Sequence, residues 1–186
     1  MAEAPARPGA IALYLEHVQD ECLRACFAPG SCVLELGAPR SGTAARLRAA
    51  GVQVASAPGP LPRLEAGELA ERGYEGAYLM EAGEPLDTSE ALAGLGRILR
   101  AGAPVVLRIT PRRGRGPREV RQALGPDFAW SGARALGLLV PPESRSDWAE
   151  RYPLIFGLLA ALEGVVRRWP VLRSRGRVVL LEGRRR

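Results

Sequence analysis

Two residue types, lysine and asparagine, are absent from the 186-residue sequence, and histidine occurs once. The 26 strongly basic side chains are therefore all arginine, and against 20 acidic side chains they give a formal net charge of +6. Exclusive use of arginine is typical of a GC-rich coding bias. The excess of positive charge therefore does not by itself indicate a nucleic-acid partner.

Long apolar runs are absent as well. No stretch reaches the roughly 18 residues that span a bilayer. The N-terminal sequence MAEAPARPGA has neither the apolar core nor the cleavage site of a signal peptide. The sequence therefore predicts a cytoplasmic protein without membrane contact.

Cysteine is scarce, with Cys22, Cys26 and Cys32 as its three occurrences. An odd number in a cytoplasmic chain does not indicate a disulfide framework. Cys22 and Cys26 lie one turn apart on a predicted helix, with His17 a further turn back. Paired CxxC motifs of a structural zinc site are nevertheless absent, and cysteine is an ordinary buried residue. We predict no metal site.

Length and pattern predict one α/β domain over residues 1–186, because a chain of this length is ample for one hydrophobic core and short for two. Apolar runs typical of buried strands alternate with segments of helical spacing. This alternation predicts a doubly wound, mainly parallel sheet with helices on both faces. The predicted strands are 32–37, 52–57, 74–80, 103–110 and 176–183, with one more at the end of the stretch 131–142, and the predicted helices are 10–27, 41–51, 88–100, 117–125 and 151–168.

The connection between the second and third of these strands is short. Only residues 58–73 separate them, and a parallel crossover alone needs a dozen or more residues. The segment has room for a helix or for a short additional strand, but not comfortably for both. We therefore expect a sheet that is truncated around the position of the usual third strand.

Ligands of such sheets bind beyond the carboxyl ends of the strands, where the strand order reverses. The loop 37–43 lies at the natural candidate point. The sequence around it, VLELGAPRSGTAARLRAAGVQV (33–54), together with YEGAYLMEAGEPL (74–86), ALAGLGRILRAGAPVVLRIT (91–110) and the tail 168–185, resembles the class I S-adenosylmethionine-dependent methyltransferases in motif order and spacing. The resemblance implies a Rossmann-like methyltransferase fold and S-adenosylmethionine as cofactor.

The resemblance also implies which residues hold the cofactor. In one register of the segment 58–73, Glu65 takes the place of the Asp that binds the adenine amino group. The full set of expected cofactor residues is Glu35, Gly37, Ala38, Pro39, Arg40, Ser41, Gly42, Glu65, Met80 and Glu81.

Departures from the family pattern cluster in the same place. Pro39 stands at the second glycine of the first motif and Ser41 at the third, and proline has neither the N–H nor the conformational freedom of glycine. Where the family has an acidic residue for the two ribose hydroxyls, this chain has Ala57 or Pro58. These departures, with the short segment 58–73, predict impaired cofactor binding.

Methyl transfer needs an acceptor held in line and sometimes a base. Glu81 and Glu84 follow the third predicted strand, and Tyr14 lies on the first helix, so these three are the candidate catalytic residues. The family's histidine position is Pro85 here. His17, the only histidine, is expected at the surface. The sequence leaves the methyl acceptor and the oligomeric state open.

Two non-catalytic alternatives remain open. Residues 167–186 hold eight arginines against one glutamate, and a second arginine-rich group lies at 108–121, which could bind RNA or DNA. The competing interpretation is a solvated basic surface with a frayed arginine end. In the second alternative, the apolar helix 152–166 or the loop LLVPPES (138–144) presents a surface to a partner protein.

Overall fold

The computed structural model describes residues 8–37, 41–57, 73–80, 95–110, 117–123, 125–167, 169, 172 and 175–186. The strands are β1 (Cys32–Leu36), β2 (Gln53–Ala57), β3 (Gly76–Leu79), β4 (Pro104–Ile109), β5 (Phe128–Leu136) and β6 (Val178–Arg185). The helices are α1 (Ala10–Cys26), α2 (Ser41–Ala49), α3 (Pro117–Ala123), α4 (Ser146–Arg151) and α5 (Pro153–Val166), with single 3-10 turns at Gly125–Asp127 and Glu143–Arg145. Residues 95–98 are also helical.

One six-stranded sheet has the order β2-β1-β3-β4-β6-β5. Strands β2, β1, β3 and β4 are parallel, and β6 runs antiparallel to both of its neighbours, β4 and β5. The predicted doubly wound, mainly parallel sheet is confirmed. The chain moves outward from β1 to β2 and then crosses back to β3 on the other side of β1. The strand order therefore reverses between β1 and β3.

Apolar runs form the central strands because both faces of the sheet are covered. Val33 of β1 packs with α1 on one face, whereas its neighbours Leu34 and Leu36 pack with Leu95 and Ile98 on the other. This is the pattern of a parallel strand that is buried on both sides. α1 contributes an apolar stripe at helical spacing, made of Ile11, Leu15, Val18 and Cys22.

The last two strands differ from their predictions. β5 occupies 128–136, so it begins before the predicted stretch 131–142 and covers the first half of that stretch rather than its end. β6 continues to Arg185, where Arg184 pairs with Pro104 and Arg185 with Phe128. The expectation of a frayed arginine end is therefore wrong for these two residues. Periodicity missed the extension because backbone pairing on both sides of β6, rather than apolar side chains, holds these residues in the sheet.

Other predictions fall on undescribed parts of the chain. The expected truncation concerns residues 58–72, which lie outside the described residues, and β2 is the outermost described strand on that side of the sheet. Most of the predicted helix 88–100 also lies outside them. Within the described ranges, each helix is too short or too polar to cross a membrane.

Candidate functional site

The loop after β1 turns sharply at the point where the strand order reverses. Gly37 follows the strand directly and has φ of 86°, a left-handed conformation that costs a residue with a side chain free energy. Four residues later Ser41 begins α2, so the helix N-terminus lies at the carboxyl edge of the sheet. The structure thus gives a physical reason for the first glycine of the motif. Ala38, Pro39 and Arg40 lie outside the described residues.

Glu35 is a buried carboxylate at this edge. It lies in register between Ser56 of β2 and Tyr78 of β3. The Ser56 hydroxyl donates a hydrogen bond to Glu35 Oε2 at 2.7 Å. Among the described residues this hydroxyl is the only hydrogen-bond donor to Glu35 that meets ordinary geometry. A carboxylate can accept about four hydrogen bonds, so Glu35 has acceptor capacity that these contacts do not use.

Tyr78 is the second polar group in this layer, and it is fully buried. Burial raises the pKa of Tyr78, and the neighbouring Glu35 carboxylate raises it further, so the phenol stays protonated. Its hydroxyl lies close enough to the Glu35 carboxylate to interact with it, but makes no hydrogen bond of ordinary geometry with the residues that the structure describes. A buried donor in that position is unusual, because buried polar groups are normally paired with protein, water or ligand.

An ion pair ties α1 to the start of α2. Asp20 is buried and pairs with Arg46, which also contacts Glu16 at 3.4 Å. Burial raises the pKa of the Asp20 carboxyl, and the hydrogen bond and charge of Arg46 oppose that rise. The Arg46 guanidinium lies against Gly42 in the first turn of α2. α1 therefore closes one wall of the carboxyl edge beside β1.

The other wall is formed where β3 ends. Met80 is buried, and its carbonyl oxygen accepts a hydrogen bond from Arg108 Nη1 of β4 at 3.4 Å. Sequence reasoning did not single out Arg108. The feature of the sequence that could have indicated Arg108 is that it is the only charged residue inside the apolar run APVVLRIT. Glu65, Glu81 and Glu84, the remaining predicted site residues, lie outside the described residues.

Tyr14 contacts α5 through its hydroxyl and its ring. Its hydroxyl donates to the carbonyl oxygen of Ala160 at 3.2 Å, and its ring packs edge-on against Phe156 with centroids 5.9 Å apart. Burial, followed by the nearby Glu163 carboxylate, raises the pKa of Tyr14 to about 12. The phenol is therefore protonated at neutral pH and cannot accept a proton there. His17 lies on the exposed side of α1, 3.4 Å from Glu21.

Two cysteines of α1 lie close to Glu182, a residue that the sequence analysis did not predict at this position. Cys22 Sγ donates to Glu182 Oε1 of β6 at 3.3 Å, and possible ligand atoms of Cys22, Cys26 and Glu182 lie within 4.8 Å of one another. Hydrogen bonding to Cys26, followed by burial, raises the pKa of Cys22. Glu182 is also ion-paired with Arg134. These contacts make the group a hydrogen-bonded network in which a cation already neutralises the carboxylate.

The last two arginines of β6, Arg184 and Arg185, lie at the opposite edge of the sheet. Arg184 and Arg185 donate to the backbone carbonyls of Gly102 and Leu99, beside the amino end of β4. Arg100, at the same edge, is ion-paired with Glu75. These cations are therefore separated by the length of a strand from the carboxyl edge at Gly37.

Comparison with known proteins identifies this fold. No family model and no curated protein matches the sequence. Among solved structures, a TehB-like SAM-dependent methyltransferase from Corynebacterium glutamicum is similar, with a TM-score of 0.59, 10% identity, and coverage of 90% of this chain and 87% of that one. Geranyl diphosphate C-methyltransferase from Streptomyces coelicolor, solved with S-adenosyl-L-homocysteine, has a TM-score of 0.53 and 16% identity over 94% and 81% of the two chains.

A third similar structure, the cyclase SpnF, has a TM-score of 0.57 and 12% identity over 97% of this chain and 84% of that one. At such identities the likeness concerns the arrangement of the backbone and not the reaction. The resemblance seen in the sequence motifs is confirmed at the level of the fold. The chain has the Rossmann-like fold of the class I S-adenosylmethionine-dependent methyltransferases.

Proposed function

We propose that the carboxyl edge between β1 and β3 binds S-adenosylmethionine, and that the protein transfers its methyl group to an acceptor in the cytoplasm. The observation that carries the proposal is the buried Glu35 with unused acceptor capacity, two residues before the left-handed turn at Gly37. The fold makes this edge the place where a ligand binds. The fold alone is not sufficient support for methyl transfer, because one of the similar structures, SpnF, is a cyclase.

The residues at the β1 side suit the methionine part of the cofactor. Gly37 lets the backbone turn without a side chain, and the N-terminus of α2 presents backbone N–H groups of the kind that bind a carboxylate. The Tyr78 hydroxyl is a donor in the adjoining layer that makes no hydrogen bond of ordinary geometry with the described residues. Gly37, Glu35 and Met80 would hold the cofactor, which supplies an activated methyl group when bound.

The β2 side suits the cofactor less well. The ribose needs two acceptor oxygens on one side chain, and the hydroxyl of Ser56 is already bonded to Glu35. The next residue, Ala57, is not a hydrogen-bonding type. We therefore propose that the cofactor binds weakly. Glu81 and Glu84 stay the proposed carboxylates beside the acceptor, since Tyr14 is held protonated by α5.

The test is calorimetric titration of the full chain with S-adenosylmethionine and with S-adenosylhomocysteine. We expect weak binding by the natural chain and about tenfold tighter binding after Ala57→Asp, because a carboxylate supplies the missing pair of acceptors, worth about 1.4 kcal/mol. Gln53→Asp, which adds the same charge at the other end of β2, is the control and should leave the affinity unchanged.

Absence of heat from both ligands at millimolar concentration, in the natural chain and in Ala57→Asp, would overturn the proposal. Salt-sensitive RNA binding by the same preparation would then favour the non-catalytic alternative. Arg184 and Arg185 of the tail do not favour that alternative, because both are bonded to backbone carbonyls.

A further inference from the structure

α5 exposes its apolar side chains and buries its charged one. Glu163 is the only buried residue of the helix. Six large apolar side chains on α5 and just beyond it are between 46% and 88% exposed, and they are Leu154, Ile155, Leu158, Leu162, Val165 and Trp169. We call these six residues the outer face of α5. A contiguous apolar surface of this kind marks an interaction site, since single exposed leucines are normal but a row of them is not.

The spacing within the outer face is that of a helix-pairing seam. Ile155, Leu158, Leu162 and Val165 follow one another along the helix at intervals of three, four and three residues, and Trp169 lies just beyond its end. This alternation is the a/d pattern of a heptad, in which each side chain fits between side chains of a second helix. The pattern therefore favours an α-helix as the partner of this surface.

The inner side of α5 is fixed, so the helix cannot turn to bury the outer face. The Glu163 carboxylate accepts hydrogen bonds from the backbone N–H groups of Gly137, Leu139 and Val140 at 2.9, 2.9 and 3.0 Å. The Tyr14 hydroxyl bonds the carbonyl of Ala160 on the same side. A rotation of the helix would leave a buried carboxylate and three N–H groups without partners, which costs more than the exposed leucines would gain.

We propose that the outer face of α5 binds the same face of a second copy of this chain, with the two helices antiparallel across a twofold axis. About the midpoint of the helix, Leu158 of each copy would then face the partner's Leu162, and Ile155 would face the partner's Val165. An interface of this type is self-complementary, because the same patch serves both copies. The helix dipoles oppose one another in this arrangement, which is favourable.

The charge of the outer face and its area both favour a second copy of this chain as the partner. α5 contains no arginine between Pro153 and Val166, and its single glutamate points inward, so no like charges meet at the axis. A lipid surface is less well matched, since interfacial helices carry basic residues on their polar side. The outer face presents roughly 600 Å² per copy. Two copies would bury about 1,200 Å², the lower end of a specific interface.

The test is sedimentation velocity of the full chain from 1 to 100 μM. We expect a homodimer in that range and at least 100-fold weaker dimerisation for Leu158→Glu, with an unchanged circular dichroism spectrum because the substituted side chain is exposed. Leu154→Glu, at the most exposed position of the face, is a second variant and should weaken the dimer with no effect on folding. The control Gln53→Glu, on the distant strand β2, should sediment like the natural chain.

Orientation is tested with single cysteine variants. A mixture of Ile155→Cys and Val165→Cys should form a mixed disulfide on oxidation, whereas Ile155→Cys alone should not crosslink to itself. Self-crosslinking of Ile155→Cys would overturn the antiparallel arrangement. A natural chain that is monomeric at 100 μM, or a dimer that Leu158→Glu leaves intact, would overturn the proposal. Binding of the monomer to phosphatidylserine vesicles, lost in Leu158→Glu, would assign the face to lipid instead.

Discussion

Glu35 and Glu163 are both buried glutamates, but they differ in what surrounds their carboxylates. Glu163 accepts three hydrogen bonds from backbone N–H groups of one loop. Glu35 accepts one hydrogen bond of ordinary geometry from the described residues, that of the Ser56 hydroxyl, and lies beside the Tyr78 hydroxyl. The Glu163 carboxylate is held by three backbone donors, whereas the Glu35 carboxylate has one described donor.

This difference separates a structural role from a binding role. Removing a buried carboxylate that holds backbone donors leaves those donors unsatisfied, so its main effect is on folding. Removing one that has few partners leaves little behind, so its main effect should be on the ligand that completes it. The carbonyls of the loop bound by Glu163 are bonded as well, because Arg177 donates to Gly137 and Val140. The loop is therefore clamped from both sides.

The largest expected effect is the loss of stability when Glu163, the glutamate with the structural role, is replaced. Glu163→Ala should lower the free energy of unfolding by about 4 kcal/mol, since three backbone N–H groups lose a charged acceptor. Glu163→Gln, which keeps one acceptor oxygen, should cost about half as much. Urea denaturation followed by circular dichroism measures both. A loss below about 1 kcal/mol for Glu163→Ala would contradict the assignment of a clamp.

An intermediate effect is expected for Glu35, and it should appear in binding rather than in stability. Glu35→Gln keeps an acceptor for Ser56 but removes the charge, so we expect a loss of unfolding free energy of at most about 1 kcal/mol and about tenfold weaker binding of S-adenosylhomocysteine. Calorimetric titration and urea denaturation of the same preparation separate the two quantities. A stability loss as large as that of Glu163→Ala, with unchanged affinity, would remove the distinction between the two residues.

The smallest expected effect concerns Tyr14, which links α1 to the helix that carries Glu163. Its pKa is raised from 10.0 to about 12 in the folded state. The stability from this proton is therefore fully present below pH 10 and is lost as the pH rises toward 12. Tyr14→Phe should cost about 1 kcal/mol at neutral pH and should make the loss of stability between pH 10 and pH 12 shallower, while the buried Tyr78 keeps its own share of that loss.

Denaturation midpoints at a series of alkaline pH values measure this dependence. Tyr152→Phe, at an exposed tyrosine, is the matched control and should keep the steeper dependence of the natural chain. If Tyr14→Phe loses stability between pH 10 and pH 12 as steeply as that control, the phenol is not the group responsible.

The sequence predicted much of the sheet because buried parallel strands are recognisable from continuous apolar runs. β1, β2, β3 and β4 lie where those runs lie, and Gly37 was singled out by its motif. β5 and the end of β6 were misplaced because both belong to the antiparallel part. There, residues such as Arg184 are held by backbone hydrogen bonds that side-chain pattern does not reveal.

The sequence placed part of the candidate site at the correct edge of the sheet, whereas the binding roles of its residues stay predictions. Glu35, Gly37 and Met80 lie at the carboxyl ends of the adjacent parallel strands β1 and β3, and Gly42 lies in the first turn of α2. The contacts of Ser56 with Glu35 and of Arg108 with Met80 were not predicted, because they join residues on neighbouring strands whose register the sequence does not state. All ten predicted cofactor residues stay predictions as ligands, and Ala38, Pro39, Arg40, Glu65 and Glu81 lie outside the described residues, as does the catalytic candidate Glu84.

By itself the sequence determined that apolar segments alternate between strand and helix spacing, and that a glycine follows the first strand. The strands are apolar because both faces of a parallel sheet are buried. A glycine follows the first strand because residue 37 has a positive φ, which side chains disfavour. Only the tertiary structure decided which side of α5 faces inward. A helix that is apolar nearly all round has no preferred face in its periodicity. The orientation of α5 is fixed by three hydrogen bonds from backbone N–H groups to the carboxylate of Glu163.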